Sequence, residues 1–277
     1  MSKKKLSGSL QKMRVVLCDP VEYFLILGDQ ELPLNAILGK YIELEFPGLI
    51  NCIHCHRKTS KSFNQGYCFP CFRKLAQCDL CIVSPEKCHY EKGTCREPDW
   101  ADIHCMTEHI VYLSMTSGIK VGITRASQVP TRWIDQGATQ AQPVFRVNTR
   151  YQSGLMEKIF SDHVKDKTNW RVMLKGNQPS IDLGKEVAKL IKETNQRVDD
   201  VSRKFEKGAV RLVNNAEETT INYPVLEFPE KISSLNPDKN PIINGRLMGI
   251  KGQYLILDSG VINLRKYGGY KISFAVL

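Results

Sequence analysis

The chain has 277 residues, 42% apolar and 25% charged, with a formal charge of +10, a balance that excludes a disordered tail or a fibrous repeat and leaves apolar surface enough for real cores. Its apolar runs, such as residues 23–27, are strand-length, far short of the ~20 residues a membrane-spanning helix needs, and the opening Met1-Ser2-Lys3-Lys4-Lys5 leads into polar residues rather than a signal peptide's apolar stretch. A cytoplasmic protein with no membrane partner is expected, and in a reducing compartment its ten cysteines point to metal ligation rather than disulfides.

Residues 8–47 alternate apolar and polar side chains, as in Tyr23-Phe24-Leu25-Ile26-Leu27 and Tyr41-Ile42-Glu43-Leu44-Glu45-Phe46, with Gly-Asp and Leu-Pro punctuation, and read as short antiparallel strands. Cys18 reads as a small apolar residue of the Val15-Val16-Leu17-Cys18 run. The other nine cysteines fall between Cys52 and Cys105. Cys52-Ile53-His54-Cys55 and Cys68-Phe69-Pro70-Cys71 form two Cys-x-x-Cys knuckles at a separation suited to a four-thiolate zinc, with Gly66 allowing the turn between them. A redox pair or an iron–sulfur cluster is the alternative. His54 and His56 exceed the needs of that site. A second zinc is expected on Cys78, Cys81, Cys88 and Cys95, with Cys105 or His104 as substitutes and an iron–sulfur cluster as the sharper competitor.

From His109 the pattern changes. Ile110-Val111-Tyr112-Leu113-Ser114, a turn at Gly118 and Ile119-Lys120-Val121-Gly122-Ile123-Thr124-Arg125 read as a hairpin. A short helix follows around Arg132-Trp133-Ile134-Asp135-Gln136-Gly137, then a strand over 144–149, then a helix opened by Gly154 and carrying Glu157. Residues 180–205 keep helical apolar spacing and predict one long amphipathic helix bridging two domains. Asn-Pro pairs at 236 and 240 mark a loop before terminal strands over 253–272, which loosely repeat the N-terminal pattern. The two ends are therefore expected to carry related β-meanders that pack together.

The charge is concentrated. Residues 52–77 hold Arg57, Lys58, Lys61, Arg73 and Lys74 and no acid, and residues 109–177 hold ten Lys or Arg against four Asp or Glu, among them Arg125, Arg150 and Arg171. Basic segments of this kind select phosphate backbones through counterion release, so DNA or RNA is the expected partner of these eight side chains.

Over residues 109–177 the motifs resemble the GIY-YIG nuclease superfamily. Val111-Tyr112 stands at the first motif's tyrosine, Lys120-Val121-Gly122 where Tyr-Ile-Gly would be, Arg132 at the helical arginine, Glu157 at the metal-binding glutamate and Asn169 at the trailing asparagine. The resemblance implies phosphodiester hydrolysis in which Glu157 holds Mg²⁺ or Mn²⁺, Arg132 clamps phosphoryl oxygens and Tyr112 orients or deprotonates the attacking water. Lys120 departs from the motif's tyrosine, and Gln136 stands near where many members have histidine. The whole chain resembles a bacterial family termed domain of unknown function 2797, a name that carries no activity.

The expected fold class is α+β: an N-terminal β-module (1–48), a double zinc module (49–106), a GIY-YIG-like domain (107–177), a bridging helix (178–207) and a C-terminal β-module (208–277). The expected function is metal-dependent nucleic-acid binding and cleavage by an endonuclease with two structural zinc ions. A non-catalytic zinc-containing DNA- or RNA-binding protein is the alternative, and a protein-interaction scaffold is a third reading.

Overall fold

The computed structural model describes residues 5–164, 168–176 and 178–277. Residues 1–4, the basic pair Lys165 and Lys167, and residue 177 at the expected end of the α/β domain lie outside them.

The chain opens with β1 (Lys5–Ser9), β2 (Arg14–Val16), β3 (Glu22–Leu27), β4 (Gln30–Pro33) and β5 (Tyr41–Glu45). The cysteine-rich stretch adds β6 (Ile50–Asn51), β7 (Lys58–Thr59), α1 (Phe69–Lys74), four 3₁₀ turns and α2 (Pro98–His104). Next come β8 (His109–Met115), β9 (Ile119–Arg125), α3 (Thr131–Asp135), β10 (Gln140–Val147), α4 (Arg150–Ser161), α5 (Trp170–Leu174) and α6 (Leu183–Ser202). The chain closes with β11 (Val210–Leu212), β12 (Thr219–Thr220), β13 (Ile242–Lys251), β14 (Tyr254–Leu257), β15 (Gly260–Asn263) and β16 (Lys271–Val276). The architecture is α+β, as the sequence implies.

The strands form antiparallel sheets. β1 pairs with β16 from Lys5↔Ala275 to Ser9↔Lys271, in a six-stranded sheet ordered β1-β16-β5-β13-β14-β15. The terminal segments thus share one sheet, each end supplying strands to the other. Alternation buries Tyr23, Leu25 and Leu27 on β3 and Ile42 and Leu44 on β5, which join Leu247, Leu255 and Phe274 in one core. Cys18 lies outside it, exposed just past the end of β2.

The second sheet runs β11-β10-β8-β9, with β12 also on β10. Paired residues of antiparallel strands share a face, so the Tyr112↔Gly122 and Ser114↔Lys120 pairs lie on one side. On the other side Val111, Leu113, Val121 and Ile123 pack beneath α4 and α6. β10 carries Pro143, which cannot donate to a ladder, and the register shifts between Pro143 and Phe145. α4 begins four residues before Gly154: Thr149 accepts from the Gln152 backbone while the Gln152 side chain bonds the Thr149 amide, a capping box. Asp182 caps α6 by accepting from Lys185 N at 2.9 Å. Rather than bridging two domains, α6 lies in the α/β core through Leu183, Leu190 and Val198, because its apolar stripe matches the sheet face that α4 leaves open.

Candidate functional site

Cys52, Cys55, Cys68 and Cys71 place their ligand atoms within 4.8 Å of one another, with the Cys55 and Cys68 sulfurs 3.6 Å apart. A tetrahedral ion with metal–sulfur bonds of about 2.3 Å holds its sulfurs about 3.8 Å apart. The four thiols therefore stand where they could hold one metal ion. The first knuckle leaves β6 with Cys52 N donating to Arg57 O at 2.9 Å and His56 N to Cys52 O at 3.0 Å. The second turns into α1, where Phe72 N donates to Cys68 O at 2.9 Å. The Arg57 backbone N–H, ahead of the neighbouring thiols, holds the Cys55 thiol down to about 6. Burial first, and then the adjacent thiols, push Cys71 up. His54 and His56 are exposed, as their redundancy implies.

The Cys78-x-x-Cys81 knuckle is divided. Cys78 packs with Cys52, Cys68, Cys71 and Leu75, and its sulfur accepts from Asn64 Nδ2 at 3.6 Å. Cys81, Cys88, Cys95 and Cys105 line a separate cavity. Cys105, named above as a substitute ligand, shares this cavity with Cys81, Cys88 and Cys95, whereas Cys78 packs with the first group. His104 stacks on Trp100 at 4.2 Å and bonds its carbonyl through Nδ1 at 2.9 Å.

In the α/β unit, Tyr112 is fully buried and its ring crosses Gly122. A Cβ at residue 122 would stand 2.7 Å from the Tyr112 Cζ and hydroxyl, so glycine is what lets the ring reach over the edge strand β9. The Gln136 amide, oriented to satisfy both neighbours, donates to the Tyr112 hydroxyl at 2.8 Å and accepts from Arg132 Nε and Nη2 at 3.3 Å. Burial pushes the Tyr112 phenol up to about 12, with Arg132 opposing and Glu157 adding to the shift. The phenol therefore keeps its proton at neutral pH and can orient a water but not deprotonate it. Glu157, half-buried on α4, shares electrostatic reach with Tyr112 and with Arg150, which also meets Arg132. Arg265, from the turn after β15, lies in reach of Arg132 and donates to Gln65 Oε1 at 2.7 Å. Arg132 thus has Arg150 and Arg265, from two other segments, in electrostatic reach, and Arg150 also reaches Glu157.

The family model described as Protein of unknown function (DUF2797) matches residues 39–272. The chain belongs to this family. No curated protein and no solved structure matches it. In this DUF2797 protein the matched span takes in the whole cysteine region, the whole α/β unit, four strands of the six-stranded sheet and the first two residues of β16, so the two cysteine groups and the Tyr112, Arg132 and Glu157 cluster all belong to it.

The remaining expected site residues divide by exposure. Lys120 is buried and directs Nζ to Thr168 Oγ1 at 3.4 Å, which in turn meets Thr116 Oγ1 at 3.0 Å. Asn169 is the cap of α5, accepting from the backbone amides of Arg171 and Val172 at 3.1 and 3.3 Å. Its Oδ1 is thereby engaged at the start of the helix. Arg150 turns inward, Nη2 donating to Ile82 O at 2.5 Å, and burial lowers its pKa; it belongs to the contact between the cysteine region and α4, not to an open surface. Arg57, Lys58, Lys61, Arg73 and Lys74 are exposed. Lys61 lies over the Phe63 ring at 5.3 Å and Arg73 over the half-exposed Phe69 ring at 5.9 Å. Arg125 is half-buried, and Arg171 is exposed and stacks on Trp170 at 4.4 Å. Sequence reasoning missed Arg265, which sits 133 residues from Arg132 with no local motif to flag it, and saw Gln136 only as a departure.

Proposed function

We propose that this DUF2797 protein binds nucleic acid through the basic, aromatic face of its four-cysteine module and cleaves phosphodiester bonds at the cluster of Tyr112, Arg132, Gln136 and Glu157. The observation that carries the reading is the Gln136 bridge, which ties Arg132 to Tyr112, whose phenol both Arg132 and Glu157 reach electrostatically. A fixed guanidinium accepts charge developing on a phosphoryl group without reorganising. Arg265 and Arg132 together favour a polyanion at this place. Lys61, Arg73 and Lys74, interleaved with Phe63 and Phe69, offer backbone contacts and stacking faces.

Zn²⁺ suits the Cys52, Cys55, Cys68 and Cys71 site by its thiolates and its spacing, and there it supplies fold rather than chemistry. A hard divalent cation such as Mg²⁺ or Mn²⁺ would be held by Glu157, and when bound it would stabilise charge on the scissile phosphate, with substrate oxygens and water filling its shell. The chain's own part is positional: Arg132 orients the phosphoryl oxygens, and Tyr112, protonated, aligns a water by hydrogen bond.

Glu157→Ala should abolish cleavage of labelled DNA or RNA in Mg²⁺ or Mn²⁺ while leaving binding largely intact. Undiminished cleavage by that variant rejects the catalytic assignment. The second reading, non-catalytic binding on a nuclease-like surface, is favoured by one observation: Lys120, at the motif's tyrosine position, is buried toward Thr168. It requires retarded but intact strands in every divalent ion.

A further inference from the structure

Residues 79–105 pose a physical problem. Their regular structure is three 3₁₀ turns and the seven-residue α2, and among the described residues none of them enters the molecule's hydrophobic clusters. Leu80, Val83 and Ile103 are 58%, 76% and 70% exposed. A segment with so little apolar burial does not hold one conformation on packing alone, and small units in this position use a metal centre as their core.

The cysteines stand where such a centre would be. Cys81 sits within the turn Leu80–Ile82, Cys88 ends the turn Pro85–Lys87, Cys95 follows the turn Tyr90–Lys92, and Cys105 caps α2. All four line one cavity beside Tyr90 and Trp100. Cys81 lies in electrostatic reach of Cys88, Cys95 and Cys105, and Cys105 of Cys88 and Cys95.

Their arrangement differs from the first site in two ways. They contain no Cys-x-x-Cys knuckle, the usual zinc turn, because Cys78 has been drawn to the other group. They are also wider apart: among the described residues, the sets of potential ligands whose atoms all lie within 4.8 Å are Cys52, Cys55, Cys68 and Cys71, and Asp79, Cys81 and His89. No three of the four cavity cysteines form such a set. An iron–sulfur core interposes several atoms between its cysteine sulfurs and keeps them farther apart than a single zinc does. The Asp79, Cys81 and His89 set is a poor rival, because Arg96 Nε already holds Asp79 at 2.6 Å and His89 Nε2 lies 3.5 Å from the same carboxylate oxygen.

We propose that Cys81, Cys88, Cys95 and Cys105 ligate an iron–sulfur cluster that folds residues 79–105 and seats them on α4. The seat is direct: Arg150 N donates to Cys105 O at 2.8 Å, Arg150 Nη2 donates to Ile82 O, and Gly154 lies against Pro85 and Glu86 so closely that a Cβ would meet Pro85 Cβ at 2.5 Å. The centre therefore stands behind the helix that carries Glu157, and its existence does not depend on the nuclease reading.

The test is the full-length protein purified without oxygen, analysed for iron, acid-labile sulfide and zinc, and recorded by visible absorption beside Cys88→Ser and Cys78→Ser. Iron and sulfide are expected in equal amounts with a broad visible band, lost in Cys88→Ser and retained in Cys78→Ser, while zinc stays near one per chain in both wild type and Cys88→Ser. The retained zinc shows that a colourless Cys88→Ser is still folded around its first site. A second zinc without sulfide, equal loss of the band in both variants, or failure of the wild type to take up iron and sulfide on anaerobic reconstitution overturns the proposal.

Discussion

Tyr112 and Gly122 show how a single residue sets the site. Packing theory treats a glycine in a strand as a weakness, yet here its missing side chain is the space the tyrosine ring occupies. Gly122→Ala is therefore expected to destabilise by about 1–3 kcal/mol through overpacking, read as a lowered thermal midpoint, whereas a merely tolerant strand position would gain from the alanine. His109 provides a pH test. Burial, first, and the nearby Arg150 and Arg125, against the raising effect of the Thr107 carbonyl, lower its pKa from 6.5 to about 4, and Nδ1–H donates to that carbonyl at 2.7 Å. A base whose folded value is depressed favours the fold when neutral, so its contribution is complete above 6.5 and is lost as the pH falls toward 4. The denaturant midpoint should drop across that window, and His109→Gln should flatten the drop.

At the scale of elements, α4 has two neighbours: one side packs on the sheet, another receives the turn at Pro85–Lys87 through Gly154. Gly-to-Ala within a helix ordinarily stabilises by about 1 kcal/mol. Gly154→Ala should do the reverse, and limited proteolysis should find new cleavage between residues 79 and 105. An unaltered or raised midpoint would mean that this contact does not hold the segment. Elements with local signals were legible in the sequence. The β8–β9 hairpin follows from its flanking apolar runs, α6 from its apolar spacing, and the first cysteine site from its two knuckles. The start of α4 was not placed correctly, although Thr149-x-x-Gln152 is a capping-box pattern; Gly154 drew the boundary inward. The spacing of Asn169 from Glu157 fits a motif, and its place as the cap of α5 is a local role that the same residue type also signals. Cys78 and Cys81 are neighbours in sequence, yet Cys78 packs with the first cysteine group and Cys81 lines the other cavity, a difference no local signal gives.

For the whole molecule, what the sequence could not show is long-range. Nothing local to Lys5 specifies pairing with Ala275, and nothing local to Arg265 specifies its approach to Arg132. Both follow from burying apolar faces that neither end can cover alone, which is why Tyr112 and Trp133 of the α/β unit share a core with Leu10 and Phe274 of the six-stranded sheet. This common core mounts the Tyr112 and Arg132 cluster on the frame of the six-stranded sheet. The most direct measurement of the account is a salt titration of the binding of labelled single- and double-stranded DNA and RNA, comparing wild type with an Arg73→Ala, Lys74→Ala double variant. Affinity should fall linearly in log–log form as salt rises, and the variant should bind more weakly with a slope smaller by about one per phosphate contact removed. No binding to any strand at low salt, or binding with no salt dependence, would contradict the nucleic-acid reading at its root.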